Sequence, residues 1–346
     1  MTGTFKYFLW PFVFTAIGLM LAFWLGYNTT GTMGGAISFF LIGSVLAVLE
    51  ISLSFDNAIV NANILEKMEP KWQHRFLTWG IVVAVFGMRI IFPLAVVAIA
   101  AKIGPISAIV LAASDPQEYA RIMDDSHIGI SAFGGTFLMM VALTYFIDQS
   151  KEVDWIRVIE CRLRSCASIR GLEIAFVLFL ALMFTTSLTG PDSATFLFAA
   201  VCGLVTFLAV ELLGHILDAE KEVNNLAAKG GFGAFLYLEV LDASFSFDGV
   251  IGAFALTQNL FLIAIGLGIG AFYVRSMTIM LVESKMLTQF RYLEHGAFYS
   301  VLVLSVIMYA QSLWHIPELF TGLVGAALIC LSLFSSIRHN NAEREI

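Results

Sequence analysis

The sequence predicts an all-α, polytopic transmembrane helix bundle of about ten spans, arranged as an inverted-topology repeat with interrupted motif helices. Three observations carry that prediction. Hydrophobic residues make up 59% of the 346 positions and charged residues only 13%, against about 25% charged in a soluble domain. The charges fall almost wholly between long apolar runs, and mean hydropathy is +0.87. An acidic motif occurs twice, at a constant offset of 192 residues.

A spanning helix needs about 20 predominantly apolar residues. Ten segments qualify, roughly 7–27, 34–62, 77–101, 129–147, 171–189, 193–216, 231–256, 259–282, 298–315 and 317–335. The first is too long for a signal-peptide core and lacks a small-residue exit, so it reads as a span. Trp10, Trp24, Tyr27, Trp79 and Trp314 stand near segment ends, where amphipathic rings prefer the headgroup level.

Ten spans place both termini on one side, and the basic residues indicate which. Of the 19 Lys and Arg, fifteen fall in the termini and the loops on their side, against only Lys102 and Arg121 opposite. By the positive-inside rule both termini are expected in the cytoplasm, the membrane being a bacterial inner membrane. The remaining two, Arg89 and Arg275, lie inside spans. The longest outer loop, about 102–128, is acidic through Asp115, Glu118, Asp124 and Asp125.

Several function classes are disfavoured. A net charge of −7 with no basic stripe gives nucleic acid nothing to bind. Cys161, Cys166, Cys202 and Cys330 form no even framework, and no neighbouring His completes a zinc site, so all four read as reduced thiols. There is no P-loop. Paired membrane aspartates without a G-x-G-D signature do not make a protease, and the chain is expected not to be an enzyme.

In the repeat, Leu49-Glu50-Ile51-Ser52-Leu53-Ser54-Phe55-Asp56-Asn57-Ala58-Ile59 reads against Leu241-Asp242-Ala243-Ser244-Phe245-Ser246-Phe247-Asp248-Gly249-Val250-Ile251. Each motif precedes a span with one Arg, Arg89 in the first case and Arg275 in the second. Half one covers about 34–147 and half two about 231–316, within a single transmembrane transporter domain 1–346. The motifs lie five spans apart and so run oppositely through the bilayer, as in transporters that build one midplane site from two inverted repeats.

Charges at the centre of a spanning helix cost about 2.5–3.5 kcal/mol each on insertion scales. Glu50, Asp56, Glu239, Asp242, Asp248, Arg89 and Arg275 must therefore face protein or a wet cavity. On an unbroken helix Glu50 and Asp56 sit about 120° apart, so the helix is expected to unwind near Ser-Phe-Asp or to be buried on both faces. Five acids against two charge-balancing arginines leave a negative surplus that a divalent cation would offset. The surrounding donors are oxygens, including the Ser54 and Ser246 hydroxyls and the Asn57 amide. That set suits Mn, Ca or Mg better than Zn or Cu.

These residues resemble the TerC family of integral membrane proteins, and within it the DUF475 branch. Glu50-x-x-Leu53-Ser54-x-Asp56-Asn57 is similar to the family's E-x-x-L-S-x-D-N. Glu239-x-x-Asp242-x-x-Phe245-Ser246-x-Asp248 is similar to its E-x-x-D-x-x-F-S-x-D. The resemblance covers about 34–335 and implies a LysE-like transporter exporting divalent metal, manganese above all. It implies a metal-binding role for Glu50, Asp56, Asn57, Glu239, Asp242, Ser246 and Asp248. The sequence departs from the pattern at Gly249, where Ser is usual.

The leading expectation is therefore a divalent-cation exporter, with protons as the coupling ion because no nucleotide motif is present. The alternatives are a non-transporting membrane partner that supplies metal to or scaffolds other proteins, and a LysE-type amino-acid exporter. The expected partners are the bilayer and the metal ion, with a homo-oligomer as a further expectation.

Overall fold

A computed structural model of the chain describes residues 5–80, 101–148, 151, 153–165, 171–222, 231–257, 259–314, 316 and 318–344, with isolated positions between 81 and 100. The elements are α1 (Phe5–Thr30), α2 (Met33–Leu53), α3 (Phe55–Glu66), α4 (Pro70–Arg75), a π-helical turn (Phe76–Gly80), α5 (Pro105–Ser114), α6 (Pro116–Asp125), α7 (His127–Ile147), α8 (Arg157–Ser165), α9 (Leu172–Ser187), α10 (Pro191–Glu222), α11 (Phe232–Leu256), α12 (Leu260–Glu283), α13 (Met286–Gln289), α14 (Leu293–Gln311) and α15 (Glu318–Arg344). No strand occurs among the described residues. Every backbone polar group in a bilayer needs an internal partner, and a helix supplies that partner within its own segment.

Seven helices are long and apolar enough to cross a membrane: α1, α2, α7, α10, α12, α14 and α15. They account for seven of the ten expected spans. Of the other three, α9 has 16 residues, about 24 Å at about 1.5 Å per residue, which falls short of a hydrocarbon core about 30 Å thick. Residues 77–101 are described only in part. The 25-residue α11 is long enough but carries Glu239, Asp242 and Asp248.

The bundle has an inner and an outer set of helices. In α7, α12 and α14 most of the apolar stretch is buried, 78% in α7, whereas in α1 only 17% is buried. α7 packs between α10 and α14, while α12 packs on α1, α2 and α3. Small residues let the inner helices approach, as is usual where lipid supplies no hydrophobic drive between helices. Gly135 of α7 lies against the Tyr309 ring of α14, and the Thr136 and Tyr309 hydroxyls hydrogen-bond over 2.6 Å.

The segments expected as the two repeat halves touch each other. α3 packs on α14, the last span of half two, and α11 packs on α7, the last span of half one. The outer segment expected as a loop instead contains α5 and α6. Asp115 caps α6 by accepting from the Glu118 N–H at 3.1 Å, and Pro116 occupies the first helical position. Arg121 then bridges Glu118 and Asp125.

Candidate cation site

The first motif is bent at one residue. α2 ends at Leu53, Ser54 adopts φ −100°, ψ 14°, and α3 restarts at Phe55. The flanking hydrogen bonds survive: Ser54 N–H donates to the Glu50 carbonyl at 3.0 Å, and Ala58 N–H donates to the Ser54 carbonyl at 3.1 Å. The expected interruption is thus a single-residue kink in motif one. The second motif instead lies inside the continuous helix α11. No unwinding is needed there, because Gly249 brings bare backbone within reach of Glu50.

The kink resolves the angular conflict read from the sequence. Glu50, Ser54 and Asp56 all line one cavity of about 20 Å³, together with Phe245 and Gly249 of α11, Ser300 of α14 and Thr321 and Gly325 of α15. That volume holds one water or one bare cation. Glu50 is 3% exposed and Asp56 5%. Ser54 Oγ donates to Glu50 Oε1 at 3.1 Å, and Ser300 Oγ donates to Asp56 Oδ2 at 2.8 Å. Asp56 Oδ1 also accepts from the Asn57 N–H at 2.8 Å. The Thr321 hydroxyl is buried with no hydrogen-bond partner among the described residues. The lining donors are all oxygen, in keeping with a hard cation.

Glu50 is wedged between the two halves. A Cβ on Gly249 would fall 2.8 Å from Glu50 Oε2, and one on Gly270 of α12 would overlap the Glu50 side chain. Glu239 shows the reciprocal arrangement, since a Cβ on Gly80 would lie 3.1 Å from its Oε1. Each motif glutamate therefore packs on a glycine in the segment that follows the other motif. Glu239 is buried, and neither carboxyl oxygen has a hydrogen-bond partner among the described residues.

Asp242 accepts a hydrogen bond at 2.7 Å from the Asn61 Nδ2 of α3. The motif residues thus fall into two groups: Glu50, Ser54 and Asp56 at the cavity, and Glu239 with Asp242 further along the α3–α11 interface. The Oδ1 atoms of Asn57 and Asn61 are buried and unpaired among the described residues. Beyond Asn61, Asn63 bonds the Glu294 carboxyl. A wider cleft of about 610 Å³ opens there, with Asn63, Lys67, Asp148, Glu173 and Glu211 on its walls.

The side chains of Ser246 and Asp248, and the whole of Arg89, lie outside the described residues. Arg275, expected to balance the acids, donates from Nη2 to the Leu77 carbonyl instead, and among the described residues no carboxylate pairs with it. Its helix face turns toward α1 and the π-helical turn, away from the cavity. Ser300, Thr321 and Asn61 complete the site without belonging to either motif. Asn61 could have been noticed as a third amide or acid on one short apolar stretch after Asp56 and Asn57. Ser300 and Thr321 carry no such signal, since lone hydroxyls are common in spans.

Among the described residues no three His, Cys, Asp or Glu side chains come together closely enough to hold a metal ion on their own. The cavity offers two carboxylates and several hydroxyls.

No curated protein and no solved structure matches the chain. One family model does, described as "Protein of unknown function (DUF475)", and it covers residues 55–343, from just after the kink at Ser54 into α15. Spanning most of the sequence, that match shows that the chain belongs to the DUF475 family.

Proposed function

We propose that this protein transports divalent metal cations across a membrane, with manganese as the principal substrate and export as the direction. The supporting observation is the buried, oxygen-lined cavity that Glu50 and Asp56 share with Gly249 of the opposite motif helix. Two carboxylates there offset the charge of one divalent ion, and hydroxyls supply further ligands of the kind Mn, Ca and Mg accept. α3 then carries Asn57 and Asn61 on one face, away from the cavity and toward Asp242, and their buried Oδ1 atoms are further hard ligands for a partly dehydrated ion. The TerC-like motifs and the LysE-like architecture they imply point the same way.

Export from a cell negative inside moves two charges uphill, at about 4.6 kcal/mol per 100 mV. Proton antiport supplies that work. Glu50 and Glu239 are the exchange candidates, because a proton or a cation would equally answer their buried oxygens.

The test is metal flux into and out of proteoliposomes containing this chain alone, read with a metal-sensitive dye. The expected result is manganese movement driven by an imposed proton gradient and abolished in Asp56→Asn. Binding without flux would favour a metal-supplying membrane partner. Flux that follows voltage and ignores the proton gradient would overturn the exporter.

A further inference from the structure

Arg275 raises a question the cation site does not answer. A guanidinium on a membrane-crossing helix needs a counter-charge or strong acceptors. The described residues give it one, the carbonyl of Leu77, while its Nε is buried with no partner. The side chain lines a cleft of about 350 Å³ between α1 and α12, within the range of small-molecule sites. Lys6 and Tyr7 stand at its mouth, Trp10 and Pro11 on one wall, and Phe14 and Phe272 at its inner end.

The chemistry of the cleft is graded. Its mouth is polar and its inner end is aromatic, where Phe14 and Phe272 stack at 3.7 Å between centroids. Glu283 is the one acid on the lining, and its Oε2 already accepts from the Tyr7 hydroxyl at 2.7 Å. With Lys6 and Arg275 against Glu283, the cleft carries a net charge of +1. Leu77, which anchors the guanidinium, stands two residues before the exposed Trp79, and Trp10 is exposed beside the cleft. Both indole rings mark headgroup level, so the guanidinium reaches up toward the interface as long basic side chains do. The basic residues of the loops assign this end of the bundle to the cytoplasm, where the leaflet holds the anionic lipids.

We propose that the cleft between α1 and α12 binds an anionic phospholipid, its phosphate held by Arg275 with Lys6 at the mouth and its acyl chains lying along Phe14 and Phe272. The planar guanidinium presents paired N–H groups to phosphate oxygens. A zwitterionic lipid brings a cation that Arg275 and Lys6 repel. The site lies on the lipid-facing side of α12 and stands apart from the proposed transport reaction, so either can fail alone.

The experiment is native mass spectrometry of the full chain, delipidated in mild detergent and then offered equal phosphatidylglycerol and phosphatidylethanolamine. Wild type is expected to retain one phosphatidylglycerol in preference. Lys6→Gln should weaken that preference by about fivefold, the value of one basic residue near a charged headgroup. Arg275→Gln should abolish it, and Lys102→Gln, in the outer segment, should leave it intact. If Arg275→Gln does not fold, the exposed Lys6→Gln still decides. Equal retention of the two lipids, or a preference that Lys6→Gln and Arg275→Gln both leave unchanged, would overturn the proposal. So would inorganic phosphate raising the melting temperature as much as the lipid does, since that marks a free-anion site.

Discussion

Asn61 Nδ2 donates to Asp242 Oδ1 across 2.7 Å, joining the helix that follows the first motif to the helix that carries the second. A hydrogen bond to a carboxylate in a low-dielectric setting is worth about 1.5–3 kcal/mol. Asn61→Leu keeps the volume but leaves Asp242 without that donor, so melting of the detergent-purified protein should fall by roughly that free energy. Asn61→Asp places two carboxylates together and should lower stability further, with divalent cation restoring it. Unchanged melting in both variants would mean that the bond does not join the halves.

The Glu50 wedge makes a second prediction. Gly270 and Gly249 leave space that the Glu50 side chain fills, so an added methyl overpacks the core at about 1–3 kcal/mol. Gly270→Ala should be the more damaging, because its Cβ would overlap the aliphatic part of Glu50. At Gly249 the methyl meets only the carboxylate tip, and Gly249→Ala should weaken cation binding more than it lowers stability. Binding calorimetry beside thermal melting separates the two effects.

Asp56 and Ser300 should contribute unequally to cation binding. Asp56→Asn removes one of the two carboxylates at the cavity and should lower affinity tenfold or more, the scale of about 1.5–3 kcal/mol for a charged partner. Ser300→Ala removes only the hydroxyl that donates to Asp56 Oδ2, so a loss of a few-fold is expected. A Ser300→Ala effect as large as that of Asp56→Asn would place Ser300 in direct contact with the ion.

Outside the spans, the loop before α8 is tied down by Glu160, which is fully buried. It accepts from Lys151 Nζ at 2.5 Å and from the Trp155 and Ile156 N–H groups at 3.1 and 3.0 Å. Burial alone would raise the Glu160 carboxyl, but Lys151, the Ile156 N–H and His295 together hold it below the usual carboxylate value. A depressed folded-state value means that this stabilisation is present above about pH 4.3 and is lost as pH falls through the folded-state value. Trp155 fluorescence should therefore report a loosening of the loop on acidification below about pH 4.3. In Glu160→Gln the loop should be loose at every pH, and a Trp155 signal with the same acid transition in that variant would assign the transition to another group.

The membrane class and the helical architecture were legible from composition and run length, because a bilayer allows few ways to satisfy the backbone. The two acidic motifs were legible because charged residues are costly in lipid and stand out there. The sequence also carried the conflict at the first motif, where one straight helix could not aim Glu50 and Asp56 alike. Only the tertiary structure placed the kink at Ser54 and left α11 unbroken, since that choice depends on how closely Gly249 and Gly270 let Glu50 approach. It also supplied Ser300 and Thr321, hydroxyls from helices more than 240 residues away in the chain, which no local pattern can connect to Asp56. Arg275 depended on it most. Its position on a span shows only that it needs a partner, and which partner it meets depends on the rotation of α12 about its axis. Packing against α1, α2 and α3 sets that rotation, and it turns Arg275 toward Leu77 and the cleft at α1 rather than toward the acids.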